Sequence, residues 1–120
     1  MDENIVFNSD DVQQNKVYGI LSYIGILVLI PLLAAKDSQY ARFHANQGLV
    51  LFLTDIILWI CVGTISAILK IVPIFGWIAA TLIGSAVNIL LLVFMILGIV
   101  YACIGEPKKL PIIGAITIIK

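Results

Sequence analysis

The sequence predicts an all-α integral membrane protein with three transmembrane helices, a short interfacial helix between the first and second, and an interfacial C-terminal segment. Three observations carry that expectation. Hydrophobic residues make up 62 % of the 120-residue chain and charged residues only 12 %, about half the usual charged share, so a water-soluble domain of this size has too few charges to cover its apolar surface. The apolar residues fall in three runs, about 17–35, 48–69 and 77–104, each long enough to cross a hydrocarbon core of ~30 Å at ~1.5 Å per residue. The connections between the runs are short, and are either charged or built on proline and glycine.

Residues 1–16 carry Asp2, Glu3, Asp10 and Asp11 without a basic start, and are expected to form a disordered acidic tail ahead of a single helical membrane domain over 17–120. A secretory signal peptide is the rival reading of the first run. The acidic start, the long apolar stretch and Leu33 at the −3 position of the best cleavage site, after Ala35, stand against it. Gly19, Ser22 and Gly25 lie three apart and offer a small-residue stripe where another helix can approach.

Ser38 can cap the short helix that follows, in which Tyr40, Phe43, His44 and Gln47 recur at three- and four-residue steps. An aromatic and basic segment beside a span is expected in the headgroup layer. The second span then runs over 48–69. From Ile71 to Gly105 the chain has 35 residues and no charge, and a single straight helix of that length would measure ~52 Å. Pro73 and Gly76 resolve the excess: VPIFGW reads as a tight interfacial turn anchored by Trp77. The third span packs antiparallel on the second and carries a polar stripe of Thr81, Ser85 and Asn88. Gly105-Glu106-Pro107 ends it, and the lysine-flanked isoleucines of the tail are expected to lie on the membrane surface.

Charge sets the orientation. Lys36, Arg42, Lys108, Lys109 and Lys120 fall in the first loop and the C-terminal tail, against only Lys16 and Lys70 elsewhere. That asymmetry places the first loop and C-terminus in the cytoplasm and the N-terminus outside the cell membrane. Seven basic and seven acidic side chains cancel, leaving no basic stripe for nucleic acid. Cys61 and Cys103 fall at different depths of an antiparallel pair, too far apart for a bridge. No Cys/His spacing suggests a metal, and no nucleophile–base pair or phosphate loop suggests an enzyme or a cofactor.

Five polar residues remain as candidates: Arg42, His44, Gln47, Asp55 and Asn88. Asp55 lies about a third of the way into the second run. A carboxylate there costs about 2.5–3.5 kcal/mol on insertion scales, so it should face protein or water, within a turn of Asn88. An ion, proton or peptide contact fits that placement, and so does a carboxyl that fixes helix packing. His44 precedes Asp55 by eleven residues, so in a continuous helix His44, Gln47, Leu51 and Asp55 share a face. The face could carry protons inward, or His44 could be an interfacial residue bonded to a neighbour. Asn88, with Thr81 and Ser85, is expected to act as interhelical glue.

The stretches LSYIGILVLIPLLAAKDSQYARFHANQGLVLFLTD, VPIFGWI and ILGIVYACIGEPKKLPIIG resemble a widespread family of small prokaryotic membrane proteins of uncharacterised function, distantly related to the Tic20-like import components of the plastid inner envelope. The resemblance covers most of Leu21–Gly114. Its most specific part is the run from Arg42 to Gly48, RFHANQG, followed by an acidic residue in the span. It implies a helical membrane fold and a link to protein translocation, although the plastid proteins are described with four spans against the three expected here. The expected function is that of a non-enzymatic integral membrane protein, an accessory to translocation or transport. Its partners would be the lipid bilayer and either a second copy or another membrane protein. A bacteriocin-immunity-type protein that binds a peptide, and a holin-like pore-former, are the alternatives.

Overall fold

The structure, a computed structural model, describes residues 7–105; the expected interfacial C-terminal segment lies outside them. Among the described residues the chain is all helical. Helix α1 spans Ser9–Leu21, a 3-10 turn follows at Gly25–Val28, and then come α2 (Leu29–Ala34), α3 (Gln39–Leu69) and α4 (Phe75–Ile104). The two long helices, of 31 and 30 residues, are each apolar and long enough to cross a membrane. The chain packs as two compact units, one made of the described residues up to Phe52 with those from Phe94 on, the other of Leu53–Val93.

The Leu53–Val93 unit is a helical hairpin. Its turn lies where Pro73 and Gly76 predict it, and α4 opens at Phe75, two residues before the expected start of the third span. The turn bonds to itself: Lys70 N–H donates to Ser66 O at 3.0 Å, Val72 N–H to Leu69 O at 3.1 Å, and Gly76 N–H to Val72 O at 3.0 Å. Ile74 takes a φ of +68°, a left-handed conformation that a β-branched side chain rarely adopts. Val62, Ala80 and Leu91 are buried, while most large apolar side chains of the hairpin face outward, as lipid-facing helices require.

The other unit departs from expectation in three places. First, Ser9–Lys16, expected as part of a disordered tail, forms the first half of α1. Asn8 caps that helix, its Oδ1 accepting the Asp10 N–H at 2.8 Å, and Asp10 and Asp11 occupy the first turn where the helix dipole favours them.

Second, the stretch 17–35, expected as one span, is not one helix. Helix α1 stops at Leu21, Gly25 takes a φ of +52° to open the 3-10 turn, and the chain comes back as α2. The ends of this segment meet. The Asp11 carboxylate accepts from the Ser38 hydroxyl and from the Tyr40 backbone N–H, the latter at 3.2 Å. A continuous helix over 17–35 would hold its ends ~28 Å apart, so the N-terminal segment folds back instead of running straight through.

Third, there is no separate interfacial helix. Ser38 is a cap as expected, its Oγ accepting the Ala41 N–H at 3.0 Å, but the helix it starts runs unbroken from Gln39 to Leu69. Nor does its first part lie on the surface. Tyr40, Phe43, His44 and Gln47 are all buried, because the aromatic and polar face turns inward to meet α1 and the end of α4.

Candidate functional site

The buried face of α3 forms the centre of a knot of aromatic and polar side chains. His44, 0 % exposed, is ringed by Phe7, Tyr23, Tyr40 and Phe43, with ring centroids 5.0 to 6.0 Å away in tilted or edge-on arrangements. Such edge contacts place the positive rim of one ring against the negative face of the next. One ring nitrogen, Nδ1, lies 2.6 Å from the Tyr23 hydroxyl. Tyr23 sits in the break after α1, so this bond ties the irregular backbone at Ser22–Ile24 to the second turn of α3.

Tyr40 makes a second tie. Its hydroxyl donates to Ala102 O at 2.6 Å. That carbonyl lies in the last turn of α4 and also accepts the Gly105 N–H at 3.2 Å, so the phenol adds a second bond to it and ties the start of α3 to the end of α4. Asp11 makes the third tie, through Ser38 and the first turn of α3. Asn15 Nδ2 donates to its Oδ1 at 2.8 Å, and the carboxylate sits where the α3 dipole is positive.

Close approach makes the knot possible. A Cβ on Gly48 would overlap the Ser22 carbonyl, and one on Gly98 would overlap the Tyr23 ring. The expected small-residue stripe therefore does bring backbones together at Ser22, whereas Gly25 serves the turn. A polar cleft of about 500 Å³ opens beside the knot between Asp10, Gln14, Lys36, Asp37 and Gln39.

The five expected site residues separate into two groups. His44 and Gln47 are buried in the knot; Arg42 is half-buried at its edge and reaches Lys36 O at 3.5 Å. Asp55 and Asn88 belong to the hairpin unit. Asp55 is half-buried, with Oδ1 enclosed and lacking a hydrogen-bond partner. Asn88 faces outward midway along α4. Three contributors to the knot escaped the sequence reading: Asp11, Tyr23 and Phe7. Tyr23 left a signal in being the lone tyrosine of the Ser22–Ala35 run, next to Gly25; Asp11 left none beyond its place in an acidic segment.

Chemically the knot is a set of hydrogen bonds and ring contacts around one imidazole. Among the described residues no group of three His, Cys, Asp or Glu side chains is placed to hold a metal ion, and Cys61 and Cys103 are exposed free thiols. The arrangement ties α1, α3 and the end of α4 together.

A family described as the magnetosome magnetite crystal formation protein family, MamF/MmsF, matches residues 14–119. The chain is 35 % identical over 100 residues to the UPF0132 membrane protein MJ1527 of Methanocaldococcus jannaschii, covering 82 % of this chain and 64 % of that protein, so it spans less than two thirds of that relative's length. It is 35 % identical over 99 residues to the magnetosome protein MmsF of Paramagnetospirillum magneticum, covering 82 % of this chain and 80 % of MmsF. The magnetosome protein MamF of the same organism is 51 % identical over a shorter stretch of 37 residues, 31 % of this chain and 33 % of MamF. No solved structure matches the chain.

Proposed function

This chain belongs to the MamF/MmsF family of membrane proteins, and on that premise we propose that it is a non-catalytic integral membrane protein that associates with a second copy of itself through α4. The observation that carries the reading is Asn88. It lies midway along a 30-residue apolar helix, on an outward face shared with Thr81 and Ser85, and its carboxamide makes no hydrogen bond among the described residues. Thr81, by contrast, turns its hydroxyl back onto Trp77 O at 2.9 Å. An amide left without partners in hydrocarbon is costly. Because the carboxamide both donates and accepts, two copies meeting about a two-fold axis satisfy each other.

The relatives' names support a structural role over a mineral-specific one. MmsF and MamF are named as magnetosome proteins, while the archaeal relatives are named only as membrane proteins; what they share is the membrane. The role is that of an accessory that helps organise a membrane assembly or a transport system, with magnetite formation belonging to the magnetosome members. The Tic20-like resemblance rests on the run from Arg42 to Gly48. Burial of Phe43 to Gly48 supports a helical lock and gives no support to a translocation path.

The test is self-association of the full chain in liposomes, read by energy transfer between labelled copies across protein-to-lipid ratios. Asn88→Leu should weaken association by about 1–2 kcal/mol, the model-peptide value for a polar interhelical contact, and Asn88→Gln should retain most of it. A wild-type chain that stays monomeric at every ratio would sink the proposal.

A further inference from the structure

Between Asp55 and Glu106 the sequence holds a single charge, Lys70. It closes α3 at the hairpin turn, and its ammonium lies 4.5 Å above the centre of the Trp77 ring. No carboxylate pairs with it among the described residues. Around it the turn is exposed and apolar: Ile71, Ile74 and Phe75 are 78 %, 72 % and 78 % exposed. The backbone groups of the turn bond internally, so its outer surface offers little besides hydrocarbon and one cation.

An open apolar groove of about 270 Å³ starts at Trp77 and is lined further by Ile78, Thr81 and Leu82. Because the Thr81 hydroxyl is bonded back to Trp77 O, the groove wall presents its methyl group. The groove leads from the cation at the turn toward the middle of α4, one helical turn deeper. Polar anchor and apolar channel are thus arranged in the order in which a phospholipid presents its headgroup and its chain.

We infer that the hairpin turn is a binding site for an anionic phospholipid, whose phosphate pairs with Lys70 while one acyl chain lies in the groove from Trp77 to Leu82. A cation stacked on an aromatic face keeps its N–H donors available to an anion. The apolar rim argues for a lipid and against a free phosphate, since a soluble anion would leave Ile71, Ile74 and Phe75 in water. The inference needs the turn to lie in a membrane interface and is independent of self-association through Asn88.

Fluorescence quenching tests it on the full chain. In a Trp59→Phe background Trp77 is the sole tryptophan. The protein is reconstituted in phosphatidylcholine bilayers with a low mole fraction of either dibrominated phosphatidylglycerol or dibrominated phosphatidylcholine. The anionic lipid should occupy the site about fivefold more readily, the preference one lysine near an anionic surface provides, and Lys70→Gln should remove that preference while leaving quenching by the zwitterionic lipid. Equal quenching by both lipids, or a preference that survives Lys70→Gln, overturns the site. Strong quenching by aqueous iodide with none by either lipid would put the turn in water and overturn it as well.

Discussion

The Tyr23 hydroxyl and His44 Nδ1 are 2.6 Å apart, and both side chains are buried. This bond joins the point where the N-terminal helix breaks to the helix that carries the most specific stretch of the sequence. RFHANQG thereby acquires a physical role, because its imidazole fixes where the fold-back turns.

Removing one partner of that bond should therefore cost stability more than shape alone predicts. Tyr23→Phe leaves the ring in place but strands a buried nitrogen, and should destabilise the protein by about 1–3 kcal/mol. His44→Leu should cost at least as much, because the Tyr23 hydroxyl is then buried alone. Unfolding in mixed micelles of mild detergent and dodecyl sulfate measures both. A Tyr23→Phe variant as stable as wild type would show that the bond does not hold the break.

Gly48 and Gly63 form a matched pair on the same helix. At Gly48 an added methyl meets the Ser22 backbone carbonyl, whereas at Gly63 nothing lies within 4 Å. Gly48→Ala should destabilise by about 1–3 kcal/mol or more, since backbone has to move. Gly63→Ala should be neutral or stabilise by up to about 1 kcal/mol through helix propensity. The same micelle titration reads both, and equal effects would contradict the close approach of α3 to the fold-back.

The meeting of Asp11 with Ser38 and Tyr40 predicts that the residues flanking the 17–35 stretch lie on one side of the membrane. Gln14 and Lys36 flank the 17–35 stretch and line one cleft, so Gln14→Cys and Lys36→Cys, in a Cys61→Ser, Cys103→Ser background, should react with an impermeant maleimide from the same side of the membrane. Lys16, Lys36 and Arg42 would then share that side, against Lys70 at the hairpin turn, and the positive-inside rule would assign it to the cytoplasm. Labelling from opposite sides would restore a crossing by 17–35 and the external N-terminus.

The hairpin was legible because its signals are local. A charge-free stretch too long for one span, interrupted by Pro73 and Gly76, leaves little freedom in where the turn falls, and α4 ends at Ile104 as expected. The fold-back was not legible from hydropathy. Nineteen apolar residues long enough to cross and nineteen that go in and return have the same composition, and the difference rests on Gly25 and on contacts with residues 38 to 48. Similarly, Tyr40, Phe43, His44 and Gln47 form the stripe their spacing predicts, but an aromatic–polar stripe suits a headgroup layer and a polar interior equally well. Only the partners Asp11, Tyr23 and Ala102, distant in sequence, decide which it meets.

Biogenesis inherits an order from these features. The hairpin can enter a bilayer by moving Lys70 across the core and drawing Asp55 into it, each at a cost of about 2.5–3.5 kcal/mol that its two apolar helices offset. The break at Ser22–Ile24 has no such independence, since irregular backbone at membrane depth is tolerated only where protein covers it, and its cover comes from His44, Gly48 and Gly98. Helices α3 and α4 must be in place before the segment of α1 and α2 can settle, so a segment made before them reaches its final position after them.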